Sequence, residues 1–169
     1  MGGTISVGSG SVFSPADSIE SIGEATFGGG FILNDAGAEL LMEIGGENIG
    51  DNDFLVADGD LSFHDGSFVY LVATDDRDWQ PGDEFTVVLS GSNSEALKNS
   101  GFISKYVRSR DFNNLQYIQL TSGEHSGKYA ITGRYYIDTN SVPEPSTWAL
   151  LILGVAGLLY LRTRKNSKS

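Results

Sequence analysis

Residues 61–73 read Leu-Ser-Phe-His-Asp-Gly-Ser-Phe-Val-Tyr-Leu-Val-Ala. Two short apolar runs flank the pair Asp65-Gly66. Apolar, β-branched and aromatic runs set between Gly, Asp, Asn and Ser are strand signals. Asp-Gly between two of them marks either a tight hairpin or the corner of a stacked rung. The choice decides the architecture. Hairpins build an antiparallel β-sandwich, and corners build a β-solenoid.

The same texture continues on both sides. Runs at 31–33, 40–44, 54–57, 61–63, 68–73, 85–89, 102–107, 115–120 and 129–137 predict strands. Phe85, Val87 and Leu89 alternate with Thr86, Val88 and Ser90. Tyr129, Ile131, Tyr135 and Ile137 share one face, with Gly133 between them. That is period 2, not 3.6. Residues 38–44 are rich in helix formers, but a seven-residue run between glycines reads as a strand. Gln80-Pro81-Gly82-Asp83 predicts a type II turn. Ser122-Gly123 and Ser126-Gly127 bracket another loop, and 91–101 reads as a longer polar one. The expected fold class is all-β, with a short β-solenoid (β-helix-like) or β-sandwich body over 1–138. No repeat period is demonstrable in a chain this short.

Composition narrows the function classes. The chain has 169 residues, with 11 Lys+Arg, 22 Asp+Glu, 22 Gly and no Cys, and a formal net charge of −11. A basic face for nucleic acid is excluded, as are disulfides, zinc thiolates and a cysteine nucleophile. The length suits one domain. Charge is unevenly spread: residues 143–169 carry +3 and residues 1–142 carry −14. A sign change between a body and a short tail is a clue to topology.

The tail has three consecutive parts. Pro143-Glu144-Pro145 lies in a polar stretch, 139–147, that two prolines hold extended. Trp148 to Leu161 follows without a charge, then Arg162-Thr163-Arg164-Lys165. As a helix, 148–161 spans ~21 Å, short of the ~30 Å hydrocarbon core, so a buried core helix is the competing reading. Three features favour the membrane. The run is apolar on all sides, aromatic Trp148 and Tyr160 mark its ends, and cations follow at once. Its Leu, Ile and Val residues supply roughly −2 to −5 kcal/mol of insertion energy, enough for a weak stop-transfer anchor. Arg162, Arg164 and Lys165 are the expected stop-transfer residues. They place the C-terminus inside and the body outside (N-out, C-in).

Val142-Pro143-Glu144-Pro145-Ser146-Thr147-Trp148, then Gly154-Val155-Ala156-Gly157-Leu158, then Arg162-Thr163-Arg164-Lys165, closely resembles the PEP-CTERM protein-sorting signal of bacteria. The same tail is sometimes labelled the C-terminal domain of ice-binding proteins, but no regular Thr-x-Thr array is present. The resemblance implies an exported protein, held by its short helix, processed by exosortase and delivered to the cell surface or extracellular matrix. Pro143, Glu144 and Pro145 carry over as the recognised residues; they are substrate residues. Export needs an N-terminal signal, and Met1-Gly2-Gly3-Thr4-Ile5-Ser6-Val7-Gly8 has no basic or apolar signal region, so a truncated start is expected. Residues 40–89 loosely resemble the closing unit of autotransporter-passenger-like β-repeats. Such units end longer arrays.

Candidate chemistry is sparse. Asp51 and Asp53, with Asp58 and Asp60, are candidate calcium ligands, because calcium takes carboxylate oxygens from flexible loops. Asp75-Asp76-Arg77-Asp78 is a further acidic cluster. Solvated turn aspartates are the competing reading, since no EF-hand spacing exists and 45–53 is only a distorted single calcium nonapeptide. His64 and His125 fit no metal-ligand spacing. No G-x-S-x-G elbow or phosphate loop occurs. A glycosidase needs only two placed carboxylates, which an acidic chain does not lack. Trp79, between Asp78 and Pro81, is the candidate glycan-stacking aromatic and is expected to be exposed. Core pairing is the competing reading for it and the tyrosines.

The expected protein is therefore non-enzymatic, a bacterial surface or matrix protein of structural or adhesive type. A carbohydrate-binding module is the alternative, and a small exported glycoside hydrolase the second. The expected partners are exosortase, the membrane and exopolysaccharide, with no nucleic acid, cofactor or catalytic residue. The expected segments are a body at 1–138, a linker at 139–147, a membrane helix at 148–161 and a basic cytoplasmic tail at 162–169.

Overall fold

A computed structural model describes residues 3–16, 21–74, 77–90, 101–123 and 125–136. Two units divide the chain, Met1–Ile137 and Asp138–Ser169, and only the first holds described residues. The predicted linker, membrane helix and basic tail lie outside them, with Pro143, Glu144, Pro145, Arg162, Arg164 and Lys165. Among the described residues, no helix is long and apolar enough to cross a membrane.

The described fold is all-β. The chain makes successive passes through the same ladders. The first pass holds β1 (Ile5–Val7), β2 (Val12–Phe13) and β3 (Glu24–Phe27). The second holds β4 (Phe31–Leu33), β5 (Glu39–Ile44) and β6 (Phe54–Ala57). The third begins with β7 (Leu61–Phe63) and β8 (Phe68–Ala73). Pairing between passes is parallel throughout: β1 with β4 and β4 with β7, β2 with β5 and β5 with β8, β3 with β6. β10 (Val107–Ser109) adds in parallel to β8.

Residues 64–67 are therefore a corner, not a hairpin. Leu61–Phe63 and Phe68–Ala73 belong to different ladders. The corner repeats on each pass. Gly10, Gly37 and Gly66 have φ of 70°, 77° and 87°, a region that glycine enters without steric cost. The Gly10 N–H donates to the Gly37 carbonyl (3.0 Å), and the Gly37 N–H to the Gly66 carbonyl (2.8 Å). A repeat that the sequence alone did not reveal is thus present. Ile5 pairs with Phe31 and Phe31 with Leu61, steps of 26 and 30 residues.

Parallel register stacks like on like. Phe13, Leu40, Val69 and Val107 form one column, and Val7, Leu33 and Phe63 another. Leu33, Leu40 and Val69 are essentially without exposure. Each such side chain removed from water contributes roughly 1.5–3 kcal/mol before entropy is counted.

The last part of the fold changes style. β9 (Glu84–Ser90), β11 (Phe112–Gln119) and β12 (Tyr129–Tyr135) make an antiparallel sheet with β12 in the middle. The predicted turn before β9 forms, with Gly82 at φ 100° and the Asp83 N–H donating to the Gln80 carbonyl. Phe85, Val87, Leu89 and Ile131 face inward and join the core of the ladders. On the outer face, Val88 and Ala130 are covered by Phe54 and Val56 of β6.

One predicted strand is corrected. Residues 102–106 form a helix, α1 (Phe102–Tyr106), before β10. Four-residue spacing puts Phe102 and Tyr106 on one helix face, and both rings pack on Phe63 at 5.6 and 5.5 Å. A strand would send Phe102 and Ile103 to opposite faces. Tertiary packing wins over the β-branched signal. Strands β1, β2 and β3 were not predicted; they are short and set among Gly and Ser.

Candidate functional site

The acidic candidates are not equivalent. Asp53 is fully buried, not a loop ligand. Its carboxylate accepts the Gly23 N–H and the Glu43 N–H, both at 2.9 Å, tying three backbone segments together. Burial pushes the Asp53 carboxyl above its ordinary value, partly offset by those two N–H donors. Asp51 accepts from the Asn48 amide at 2.8 Å on a 3-10 turn, Ile49–Asp51. Asp58 and Asp60 are exposed at the corner between β6 and β7. Among the described residues, no three His, Cys, Asp or Glu side chains gather as a metal site.

Trp79 is a correction. It is 7% exposed, not a surface platform. Its ring stacks on Tyr135 at 5.3 Å and meets the edge of Phe112 at 5.4 Å. The Arg77 guanidinium covers it at 4.4 Å and also pairs with Asp83 and Glu47. The large apolar area of an indole explains the outcome, because the loop after Arg77 folds inward to bury it. His64 contacts its neighbour's carbonyl, and His125 packs on Phe54 at 4.8 Å.

Concavity lies elsewhere, on the outer face of the antiparallel sheet. A groove of about 1040 Å³ runs over β9, β12 and β11, with Glu47 and Asn48 on its rim. Strand register builds its floor. Thr86 opposes Thr132, and Thr132 opposes Gln116, a straight row across three strands. The next row brings Glu84 opposite Arg134, with an ion pair at 2.8 Å. The row on the other side is apolar, Val88, Ala130 and Ile118.

A bulge shapes one wall. Between Asn113 and Gln116 the register of β11 shifts against β12, so Asn114 and Leu115 oppose Gly133 alone. Asn114 takes φ 51°, a conformation asparagine tolerates better than most residues. A Cβ on Gly133 would lie 2.5 Å from Leu115 Cδ2 and 2.6 Å from the Phe85 ring. The missing side chain leaves room for both, and Asn114 joins them in the lining of the groove. Bulges commonly re-aim side chains beside binding sites.

Asn52 joins the groove to the ladders. Buried at 1% exposure, it accepts from the Gly45 and Gly46 N–H groups and donates to the carbonyls of Asn48 and Thr86. Sequence reading missed Asn52 and the Thr86–Thr132–Gln116 row. The alternation of Thr86 with Phe85 and Val87 was visible, but the cross-strand partners were not.

Body and tail together define a class: an all-β domain followed by a C-terminal sorting signal. Residues 141–165 match the PEP-CTERM protein-sorting motif. That motif implies an exported protein, transiently anchored and processed by exosortase at the membrane. No curated protein matches the chain.

Proposed function

We propose that this protein is a non-catalytic surface or extracellular-matrix protein of structural or adhesive type, delivered through its PEP-CTERM signal. The sorting match at 141–165 carries the reading. The body supports it as a short β-solenoid closed by an antiparallel cap, a build that grows by stacking one more pass. Pro143, Glu144 and Pro145 are read by exosortase. The 148–161 helix holds the chain, and Arg162, Arg164 and Lys165 stay on the cytoplasmic side. The carboxylates that line the groove, Glu84 and Glu47, are held in ion pairs with Arg134 and Arg77, which favours a structural over a hydrolytic role.

The test expresses the full chain in a host with exosortase and measures the C-terminal mass of the exported product. Loss of the segment after Pro145 is expected, and Glu144→Ala should retain it. Mature protein that still ends at Ser169 would sink the processing claim.

A further inference from the structure

We propose that the groove on the outer face of the antiparallel sheet binds a neutral glycan chain. The first argument is charge. Every charged side chain lining the groove is already paired: Glu84 with Arg134, and Glu47 with Arg77. The lining groups left without a side-chain partner are uncharged, namely the hydroxyls of Thr86 and Thr132 and the amides of Gln116 and Asn114. A site that neutralises its own charges and keeps its neutral donors and acceptors open selects a ligand that is polar and uncharged. An anion would have to compete with Glu84 for Arg134.

The second argument is the direction of the open groups. The groove lies on the face of the sheet, where the middle strand β12 commits its main-chain N–H and C=O groups to the ladders with β11 and β9. An extended peptide binds by adding main-chain bonds at a sheet edge, and this floor offers it none. Side-chain hydroxyls and amides in a row suit a ligand that carries hydroxyls along its length. Ile118, 39% exposed and two residues along β11 from Gln116, gives an apolar surface beside the row for a sugar ring face. The volume, about 1040 Å³, lies just above the ~300–1,000 Å³ of small-molecule pockets, so a chain fits better than a single sugar. The bulge and Gly133 bring a fourth neutral group, Asn114, into the same lining.

The inference does not rest on processing of the tail. Its test uses the full chain in a detergent without a sugar headgroup, run through native gels containing mixed-linkage β-glucan, xylan, mannan or dextran, with alginate as the anionic comparison. Retardation by one or more neutral polymers is expected, unaffected by added sodium chloride. The double variant Thr132→Val, Gln116→Leu keeps the shapes and should weaken binding by about tenfold or more, while Lys105→Ala on another surface should not. If the double variant melts at a lower temperature than the parent, Asn114→Gly, which keeps the backbone conformation, takes its place with the same expectation. No retardation by any neutral polymer, retardation by alginate alone, or binding unchanged in these variants would overturn the proposal.

Discussion

The parallel ladders and the antiparallel sheet solve the same problem by different means. Through residue 76 the chain contains no Lys or Arg, but it has 14 Asp and Glu. That half is held by backbone pairing and columns of like side chains, and its carboxylates repel one another. From Arg77 onward cations appear and pair: Arg77 with Asp83, Arg110 with Asp111, Arg134 with Glu84. The strands of the antiparallel sheet are also longer, seven or eight residues against two to six in the parallel ladders. Stacked passes need only short strands, because each is braced by the passes beside it. An antiparallel sheet must set its own register through cross-strand pairs.

If the cap is the better-buried aromatic unit, Trp79→Ala should be the most damaging single change. A loss of about 3–5 kcal/mol is expected from the cavity left between Tyr135, Phe112 and Arg77, read by denaturant unfolding. A loss under about 1 kcal/mol would break the picture of Trp79 as a core residue.

Asn52→Ala tests whether the two regions depend on each other. The Gly46 N–H and the Thr86 carbonyl lose the Asn52 amide, while the Gly45 N–H keeps the Asp51 carbonyl and the Asn48 carbonyl keeps the Asp51 N–H. A cost of roughly 2–4 kcal/mol is expected. Hydrogen exchange should quicken at Gly46 more than at Gly45, which keeps the Asp51 carbonyl, and β9 should melt apart from the ladders. A single unchanged unfolding transition would show that the Asn52 amide does not couple them.

Gly133→Val acts on the cap alone. The new side chain meets Leu115, Phe85 and the Asn113 carbonyl. About 1–3 kcal/mol of overpacking cost is expected, with exchange in β4 and β5 unchanged.

Asp53 gives the ladders a pH signature. Its folded-state pKa lies above the unfolded value of 3.8, so the folded chain holds that proton more tightly. This contribution to stability is fully present below the unfolded value and is lost as pH rises through the folded one. In Asp53→Asn it is absent. The stability of the variant relative to the parent should therefore rise as pH increases from 4 toward neutral. A difference that stays flat, in urea titrations across that range, would remove Asp53 as the titrating group.

The smallest effect belongs to the Lys105–Asp65 contact at the third-pass corner. Their hydrogen bond raises the proton affinity of Lys105 and lowers that of Asp65, but both groups lie in water. Exposed pairs are screened and worth little. Lys105→Ala should leave the melting temperature unchanged within error at physiological salt.

These contrasts also explain what was legible in advance. Phe68–Ala73 and Glu84–Ser90 were readable because an apolar run among turn residues survives any context. The repeat is carried by Gly3-Thr4-Ile5, Gly29-Gly30-Phe31 and Gly59-Asp60-Leu61, which the register aligns. The sequence hides it because the spacing to the next corner glycine changes, three residues from Val7 to Gly10 and four from Leu33 to Gly37. Trp79 was misplaced because polar neighbours in sequence say nothing of the aromatic rings waiting in space. The groove was invisible for a related reason. Thr132 becomes informative only when register sets it between Thr86 and Gln116.

β12 is the last described strand and also the middle one of its sheet. Whatever tension reaches the body from the chain that follows Tyr136 enters through a strand gripped on both sides. Drawing β12 out breaks the ladders to β9 and β11 at once, where an outer strand would peel away along a single seam. The sheet therefore meets a pull from its C-terminal side with its most firmly held member.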